Sequence, residues 1–211
     1  ALSTVLAQAA KKMVNDKALV KKLSSVETLG ATSVICTDKT GTLTKNQMTV
    51  EQVLIGKQVY TISGTGYDAT GGTISKNKKH VSETELEDMK PFFVAGVFAS
   101  NAKVSPPDDE HAAWYCLGDP TEGALITLAR KAKVEPIDIE EQYPETKQYS
   151  FDSGRKRMSS IRPWGDKKHH YVFAKGAPES ILDICTEIWD NGHVRKLTEA
   201  DKKFILEYNE E

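Results

Sequence analysis

A short apolar run that ends on an aspartate restricts the possible fold most. Residues 33–36, SVIC, have the β-branched, apolar composition of a short buried strand. Asp38 follows, and residues 39–44 then form a turn rich in Thr and Gly. Strand ends of this kind are where open α/β sheets place their chemistry. Because a single strand cannot form a sheet, this part of the chain needs partner strands that are absent from these 211 residues.

The turn after this strand suits phosphate chemistry. Asp38 can act as a nucleophile and form an acyl-phosphate, which divides one hard hydrolysis into two easier steps. Gly41 allows the backbone to approach a phosphate closely. Thr40, Thr42 and Thr44 supply hydroxyl groups, and successive turn amides can form an anion-binding nest. The alternative is an ordinary strand and polar turn, with Asp38 as a turn former, and the D-x-T-G-T pattern alone leaves both interpretations open.

Composition limits the remaining classes of protein. With 39% hydrophobic and 27% charged residues, the chain suits one or two globular domains with a real core. A net charge of -2 gives no reason to expect nucleic-acid binding or electrostatic attachment to a membrane. Cys36, Cys116 and Cys185 lack metal-ligand spacing, and each stands in an apolar run, which favours small buried side chains and a reducing compartment. No apolar run reaches transmembrane length, so any membrane part of the protein would lie outside this chain.

The pattern of the chain changes near residue 46. Residues 1–46 are predicted to form a helix from Leu2 to about Lys22, a further stretch, the strand and the turn. Residues 47–211 alternate short strands with helices, which is an α+β pattern. Hairpin turns are predicted at residues 56–57 and 190–192, and strands at 147–151, 157–162 and 171–174.

Two strand–turn junctions in the second part offer groups that a nucleotide needs. They are residues 151–158, FDSGRKRM, and residues 175–179, KGAPE. Phe151 could stack on a base, Lys156 and Lys175 could bind phosphates, and Gly176 would permit close approach. Taken singly, each has an ordinary alternative in the core, on the surface or in a turn.

A helix start precedes these junctions. In residues 119–125, DPTEGAL, Asp119 is the expected N-cap and Pro120 the first helical residue. Glu122 then stands at the third helical position. It could complete a capping box with Asp119 or serve a ligand, and the spacing fits both.

Taken together and in order, these segments resemble the P-type ATPases, the cation pumps that pass through an aspartyl-phosphate. Residues 38–44, DKTGTLT, resemble the phosphorylation signature, and residues 25–30 and 46–48 resemble its lead-in and exit in the calcium- and sodium-pump branch. The resemblance covers nearly the whole chain. It implies a nucleotide-binding domain at 47–211, with a twisted antiparallel sheet and flanking helices. Residues 1–46 would be a stalk helix and the first segment of an incomplete, haloacid-dehalogenase-like α/β phosphorylation domain.

The resemblance also implies residue roles. Asp38 would accept the γ-phosphate of ATP and, with the Thr40 carbonyl, help to hold Mg²⁺, while Thr40 and Thr42 shape the phosphate site together with Lys39 and Gly41.

In the nucleotide pocket, Phe151 would stack on adenine and Glu122 would lie near the adenine amino group. Lys156 and Lys175 would line the pocket, and Gly176 would pack close to the base.

One motif departs from the family pattern. Ser153 and Gly154 stand where some relatives carry an Arg-Asp pair. Any phosphate contact made by that arginine would have to come from another residue, such as Arg155 or Arg157. The sequence does not decide whether either of these lines the pocket or lies on the surface.

The implied function is the ATP-binding and phosphorylation region of a cation pump, with calcium favoured as the ion. The parent would be an integral membrane protein with further phosphorylation, actuator and transmembrane domains, and this chain would be a soluble, monomeric cytoplasmic portion. A downstream lysine and a Gly-Asp-Gly-x-x-Asn-Asp motif that the family needs are absent, so the chain alone is expected to bind ATP without turning it over. The alternatives are a nucleotide-binding module only, or a haloacid-dehalogenase-type phosphatase. Thr40 disfavours the phosphatase, since threonine is too weak an acid for the second aspartate's role.

Overall fold

The structure is a computed structural model that describes residues 2–165, 168–190 and 192–210. It divides into two compact units, Ala1–Lys45 and Asn46–Glu211. Among the described residues, no helix is long and apolar enough to cross a membrane.

The helices and strands are numbered in chain order. The helices are Leu2–Asn15 (α1), Ser24–Gly30 (α2), Glu83–Asp88 (α3), Lys90–Phe98 (α4), Pro120–Lys131 (α5), Pro136–Gln142 (α6), Pro178–Leu182 (α7) and Glu199–Glu210 (α8). The strands are Gln52–Ile55 (β1), Gln58–Ile62 (β2), Ile74–Lys76 (β3), Lys79–His80 (β4), Lys103–Ser105 (β5), Tyr115–Leu117 (β6), Lys147–Asp152 (β7), Arg157–Pro163 (β8), His170–Gly176 (β9), Glu187–Asp190 (β10) and His193–Lys196 (β11).

In the first unit, α1 ends at Asn15, earlier than its apolar pattern indicates. Lys17 has a φ of 63°, in the left-handed region that stops a helix. The amide of Ala18 then donates to the carbonyl of Met13 at 2.8 Å, which closes the final turn. The expectation of a helix reaching about Lys22 was therefore wrong by roughly two turns.

The buried strand expected at residues 33–36 is absent. These residues are extended, but they pair with no strand in the described part of the chain. Val34 and Ile35 are 73% and 82% exposed, and Cys36 is exposed as well. An apolar β-branched run becomes a buried strand only when another strand and a covering helix are available. The first unit therefore does not display a haloacid-dehalogenase-like sheet.

All strand pairs described in the second unit are antiparallel, in agreement with the α+β prediction. The strands form a four-stranded sheet (β1–β4), a three-stranded sheet (β7–β9) and two hairpins (β5–β6 and β10–β11) rather than one sheet. Ile55 pairs with Gln58 across a two-residue turn, as predicted. The turn predicted at 190–192 includes Asn191, which lies outside the described residues, although Asp190 pairs with His193 on either side of it.

The core of the second unit lies between α4, α5 and the sheets. Phe93, Val94, Val97 and Phe98 of α4 are almost completely buried. The ring of Phe98 meets the edge of Phe173 on β9, with centroids 4.9 Å apart. Helix α4 thus packs on α5 and on β9, and this packing holds the start of α5 beside the three-stranded sheet.

Strand β8 is the central strand of that sheet and shows strict alternation. Met158, Ser160 and Arg162 are buried, whereas their neighbours are partly exposed. Arg162 is buried because it is paired: its Nη2 lies 3.5 Å from Glu145 Oε2, and its guanidinium stacks on the ring of Phe98. One face of the sheet is therefore fixed against the core.

Candidate functional site

Helix α5 begins with the N-cap that the sequence predicts. Asp119 Oδ1 accepts from the amides of Thr121, at 2.7 Å, and Glu122, at 3.2 Å. The Thr121 amide is the main reason that the pKa of Asp119 lies below its usual range, because it stabilises the carboxylate form. Pro120 occupies the first helical position. The cap fixes the first turn of α5 and so fixes the backbone of Glu122.

The side chain of Glu122 does not complete a capping box. Its Oε2 accepts from the amides of Asn101, at 2.7 Å, and Ala102, at 3.1 Å. Its Oε1 accepts from Lys175 Nζ at 2.8 Å. The side chain is only 12% exposed. The capping-box interpretation of Glu122 is therefore wrong, and the carboxylate instead joins α5 to the loop before β5 and to β9.

Lys175 brings the KGAPE segment to the start of α5. It lies near the end of β9, opposite Met158 of β8, and its side chain is 29% exposed. Directly paired residues of antiparallel strands point to the same face, so Lys175 extends from the core-facing side of the sheet. Two segments that are far apart in sequence thus meet through one ion pair.

Two polar residues that the sequence analysis missed belong to the same cluster. Gln148 of β7 pairs with Ser160 and therefore shares the face of the sheet that carries Lys175. Its Nε2 donates to Asn101 Oδ1 at 2.6 Å. Strand alternation could have placed Gln148 on this face, but no local signal indicates that Asn101 reaches it.

Phe151 lies within an irregularity of β7 that determines which face of the sheet carries its ring. The register shifts between Tyr149, which pairs with Ser159, and Asp152, which pairs with Arg157. Two residues therefore oppose Met158 alone, which is the arrangement of a β-bulge. Because successive side chains alternate, the residue before Asp152 shares the face of Met158 and Lys175. Phe151 is 62% exposed there and offers a free ring face.

The turn that follows Phe151 is tightly closed. The amide of Lys156 donates to the Asp152 carbonyl at 2.7 Å, and the amide of Arg155 donates to Asp152 Oδ1 at 2.7 Å. Lys156 has a φ of 52°, and its side chain is exposed. The turn presents the Lys156 ammonium to solvent within five residues of Phe151.

The two arginines of this turn have different surroundings. Arg157 Nη1 donates to both the carbonyl, at 3.1 Å, and the Oγ, at 2.7 Å, of Ser180 in α7. It thus joins β8 to helix α7, which begins at Pro178 within the KGAPE segment. Arg155 is more exposed, with Nε 3.7 Å from Asp152 Oδ1 and Nη2 donating to the Ser150 carbonyl at 3.3 Å. Of the two, Arg155 is the one whose guanidinium is held by weaker contacts.

Gly176 is required by its strand neighbour. A Cβ at this position would lie 2.3 Å from the Lys156 carbonyl oxygen and 2.6 Å from the Arg157 Cβ. Such distances are too short for any side chain. The absence of a side chain at Gly176 therefore lets β9 close against the turn that carries Lys156.

The turn predicted to carry phosphate chemistry lies in the first unit. Asp38 is extended and exposed, and no hydrogen bond or ion pair joins its carboxylate to another described residue. Gly41 has a φ of 76°, and Thr44 Oγ1 closes the turn by donating to the Lys39 carbonyl at 3.3 Å. Thr40 and Thr42 are exposed on the same turn. The turn has the conformation that its glycine predicts, but the described chain places no other functional side chain on its carboxylate.

The predicted metal ligands would supply only part of a magnesium site. Within residues 2–165, 168–190 and 192–210, no group of three or more His, Cys, Asp or Glu side chains could hold a metal ion. Asp38 and Thr40 would provide one carboxylate and one carbonyl oxygen from a single turn. Mg²⁺ requires about six oxygens and often takes the others from water and substrate phosphates. The donor chemistry therefore fits magnesium, although only as a partial set.

A sizeable groove of the second unit lies elsewhere. It has a volume of about 600 Å³ and is lined mainly by apolar side chains, among them Met89, Phe92, Trp189 and Ile205. None of the predicted site residues lines it, so this groove is separate from the cluster of Glu122, Lys175 and Phe151.

Comparison with known proteins decides the family. A family model described as P-type ATPase, cytoplasmic domain N, matches residues 88–211, which is more than half of the chain. The chain belongs to the P-type ATPase family. The matched region contains every residue of the cluster around Glu122, whereas Asp38 lies outside it.

Named relatives of this P-type ATPase chain agree with that assignment. The calcium-transporting ATPase of Bacillus subtilis (strain 168) is 36% identical over 192 residues, which are 90% of this chain and 21% of the relative. The probable cation-transporting ATPase F of Mycobacterium tuberculosis is 34% identical over 201 residues, covering 95% and 22%. Calcium-transporting ATPase 1 of Lactococcus lactis is 32% identical over 209 residues, covering 99% and 21%. The chain therefore spans about a fifth of the length of these relatives.

Proposed function

We propose that the second unit binds ATP and that the chain is the nucleotide-binding and phosphorylation region of an ATP-driven cation pump. The observation that carries this proposal is the contact of Lys175 with Glu122, on the sheet face to which the bulge turns Phe151. Phe151, Lys175 and Glu122 together offer an aromatic ring, a cation and a carboxylate. Phe151 would stack on adenine, and Glu122 would accept from its amino group. Lys156, exposed on the neighbouring turn, would meet the phosphates.

The ion pair also accounts for the proposed place of Lys175 beside the base of ATP rather than beside its phosphates. Lys175 Nζ neutralises Glu122, and two backbone amides complete its hydrogen bonding. The interaction of Lys175 with the base end of ATP therefore leaves Lys156 as the main phosphate cation of this chain, with Arg155 beside it.

We further propose that residues 1–46 and 47–211 are separate functional regions, with Asp38 in the first as the acceptor of the γ-phosphate. In this reaction an Asp38 carboxylate oxygen forms a bond to the γ-phosphorus as the bond to the β–γ bridging oxygen breaks and ADP leaves. Asp38 and the Thr40 carbonyl would hold Mg²⁺, which supplies charge neutralisation when bound. The hydroxyls and amides of residues 39–42 would surround the phosphate.

Calcium is the proposed cargo of the parent pump, because two of the relatives above are named calcium-transporting ATPases. The parent's other phosphorylation, actuator and transmembrane domains would be the chain's partners, and this region would face the cytoplasm. The isolated chain would bind ATP as a monomer but would not hydrolyse it, because Asp38 has no functional partner among the described residues.

A nucleotide titration followed by NMR tests the binding site. With ATP we expect shifts at Phe151, Lys175, Glu122 and Lys156, because these surround the proposed pocket. Shifts confined to residues 38–44, or none at all, would contradict the proposal.

Two substitutions measure the same site by affinity. Phe151→Ala and Lys175→Met should each weaken ATP binding by about tenfold or more, since stacking and a charged contact are each worth roughly 1–3 kcal/mol. Lys79→Met removes an exposed lysine from β4 and is the matched control. Equal affinity in all four proteins would favour a scaffold without a nucleotide ligand. Detection of an acyl-phosphate on Asp38 after incubation with ATP and Mg²⁺ would contradict the inactivity of the isolated chain.

A further inference from the structure

The carboxylate of Glu122 takes its position from a loop. Its Oε2 is held by the backbone amides of Asn101 and Ala102. These two residues lie between the end of α4 and the start of β5, and Asn101 is exposed. A loop amide can fix a carboxylate only as well as the loop itself is fixed.

A side-chain hydrogen bond ties this loop to the sheet. Gln148 Nε2 donates to Asn101 Oδ1 at 2.6 Å. Gln148 is half-buried on β7, three residues before Phe151, and its backbone is paired with Ser160 of the fully packed strand β8. Asn101 is therefore a junction: its side chain is held by the sheet, and its amide holds Glu122.

The geometry points to a role in choosing the base. We propose that Asn101 and Gln148 are positioning residues that hold the Glu122 carboxylate where it accepts from the 6-amino group of adenine. This inference rests on the proposed ATP site. A fixed carboxylate is acceptor-only, so it favours a purine with a 6-amino donor and disfavours one with a 6-oxo acceptor. If the carboxylate can move, it can turn away from a 6-oxo group, and the preference falls.

ATP and inosine triphosphate test this step, because the two differ only at the 6-position and the adjacent ring nitrogen. The chain itself should bind ATP more tightly than inosine triphosphate. Gln148→Ala and Asn101→Ala should each reduce that preference by about threefold to tenfold, the worth of one hydrogen bond. Equal affinity of the unaltered chain for the two nucleotides would overturn the inference.

A double-mutant cycle separates positioning from two independent contacts. Because Gln148 acts only through Asn101, the double variant should be no less selective than either single variant. If the double variant lost the product of the two single losses of selectivity, Asn101 and Gln148 would act independently. That result would contradict the proposal that both act by positioning Glu122. Asn101→Asp keeps the accepting oxygen and the amide, so it should restore the preference even if its added charge weakens the binding of both triphosphates.

Controls keep this test distinct from the test of the proposed function. Gln58→Ala removes a half-buried glutamine from β2 in another sheet and should leave the preference unchanged. Thermal unfolding of each variant checks that the fold is intact. If the unaltered chain failed to bind ATP, the proposed function would fall and this inference with it. If ATP binding and folding were intact but Gln148→Ala and Asn101→Ala kept the full preference, the inference alone would fall.

Discussion

The turn at Asp38 and the cluster around Glu122 both carry recognisable family motifs, yet their surroundings differ. Asp38 is exposed, and its carboxylate has no partner among the described residues. Glu122 is nearly buried, and it receives three hydrogen bonds from a loop and a neighbouring strand. Lys175, which donates one of them, lies on β9 and pairs with the buried Met158 of β8.

The two motifs show what a recognisable string needs in order to become a site. A turn can adopt its local conformation alone, as Gly41 shows with its φ of 76°. A carboxylate gains partners only when other elements are packed close by. The second unit has a continuous core to hold those elements, whereas residues 31–45 of the first unit are exposed throughout.

The largest expected effect on thermal stability distinguishes Asp201 from Asp38. Asp201 is buried at the start of α8, and its carboxylate accepts from both terminal nitrogens of Arg195 and from the hydroxyl of Thr198. Replacement of Asp201 by Asn would leave the Arg195 charge without its main partner. We expect a larger fall in Tm at pH 7 than from any change below. Asp38→Asn should leave the unfolding of the second unit unchanged.

The pH dependence of unfolding sharpens this contrast. The side chain of Arg195 holds the pKa of Asp201 well below its usual range. Such a carboxyl stabilises the fold above its unfolded pKa, about 3.9, and loses that contribution as the pH falls below this value. The acid loss of stability should therefore be shallower in Asp201→Asn than in the unaltered chain. Identical slopes in the two proteins would contradict the assignment.

Two glycines provide the next comparison. A Cβ at Gly176 would collide with the Lys156 carbonyl, so Gly176→Ala should lower the free energy of unfolding by about 1–3 kcal/mol. Gly41 has open space around its Cβ position, and Gly41→Ala meets only the strain of a positive φ, roughly 1–2 kcal/mol confined to that turn. Denaturant unfolding monitored by tryptophan fluorescence would report the second unit, which contains all three Trp residues. A stable Gly176→Ala protein would mean that the turn can move away from β9.

Local signals predicted much of the second unit. The cap at Asp119 and the hairpin after Ile55 each follow from a few adjacent residues, and the structure has both. The strands β7, β8 and β9 were placed within about two residues of their observed bounds. The family was also readable, since its motifs occur as short contiguous strings.

What the sequence could not supply depends on distant neighbours. Lys175 and Glu122 are 53 residues apart, and no local pattern says that they meet. The bulge that puts Phe151 on the same sheet face as Lys175 follows from the pairing of β7 with β8, which composition does not encode. Residues 33–36 failed as a strand for the same reason: a strand is a pairing, and here the described chain provides no partner.

The smallest effect concerns the cap that places Glu122. Asp119→Ala should lower the free energy of unfolding by about 1 kcal/mol, because the first-turn amides of α5 lose their acceptor. It should also weaken ATP binding, since Glu122 stands in that first turn. Asn caps a helix about as well as Asp, so Asp119→Asn is the matched control and should keep both properties at pH 7.

At low pH, the stability of the unaltered chain and that of Asp119→Asn should differ. Since the Thr121 amide lowers the pKa of Asp119, the carboxylate cap contributes above about pH 3.9 and weakens as the pH falls below it. The Asn cap does not titrate, so the difference in stability between the unaltered chain and Asp119→Asn should shift in favour of Asn in acid. Helix α2 of the first unit has no side-chain cap, so it offers no comparable group to titrate. If Asp119→Ala left ATP affinity intact, the position of Glu122 would have to come from the loop and Lys175 alone.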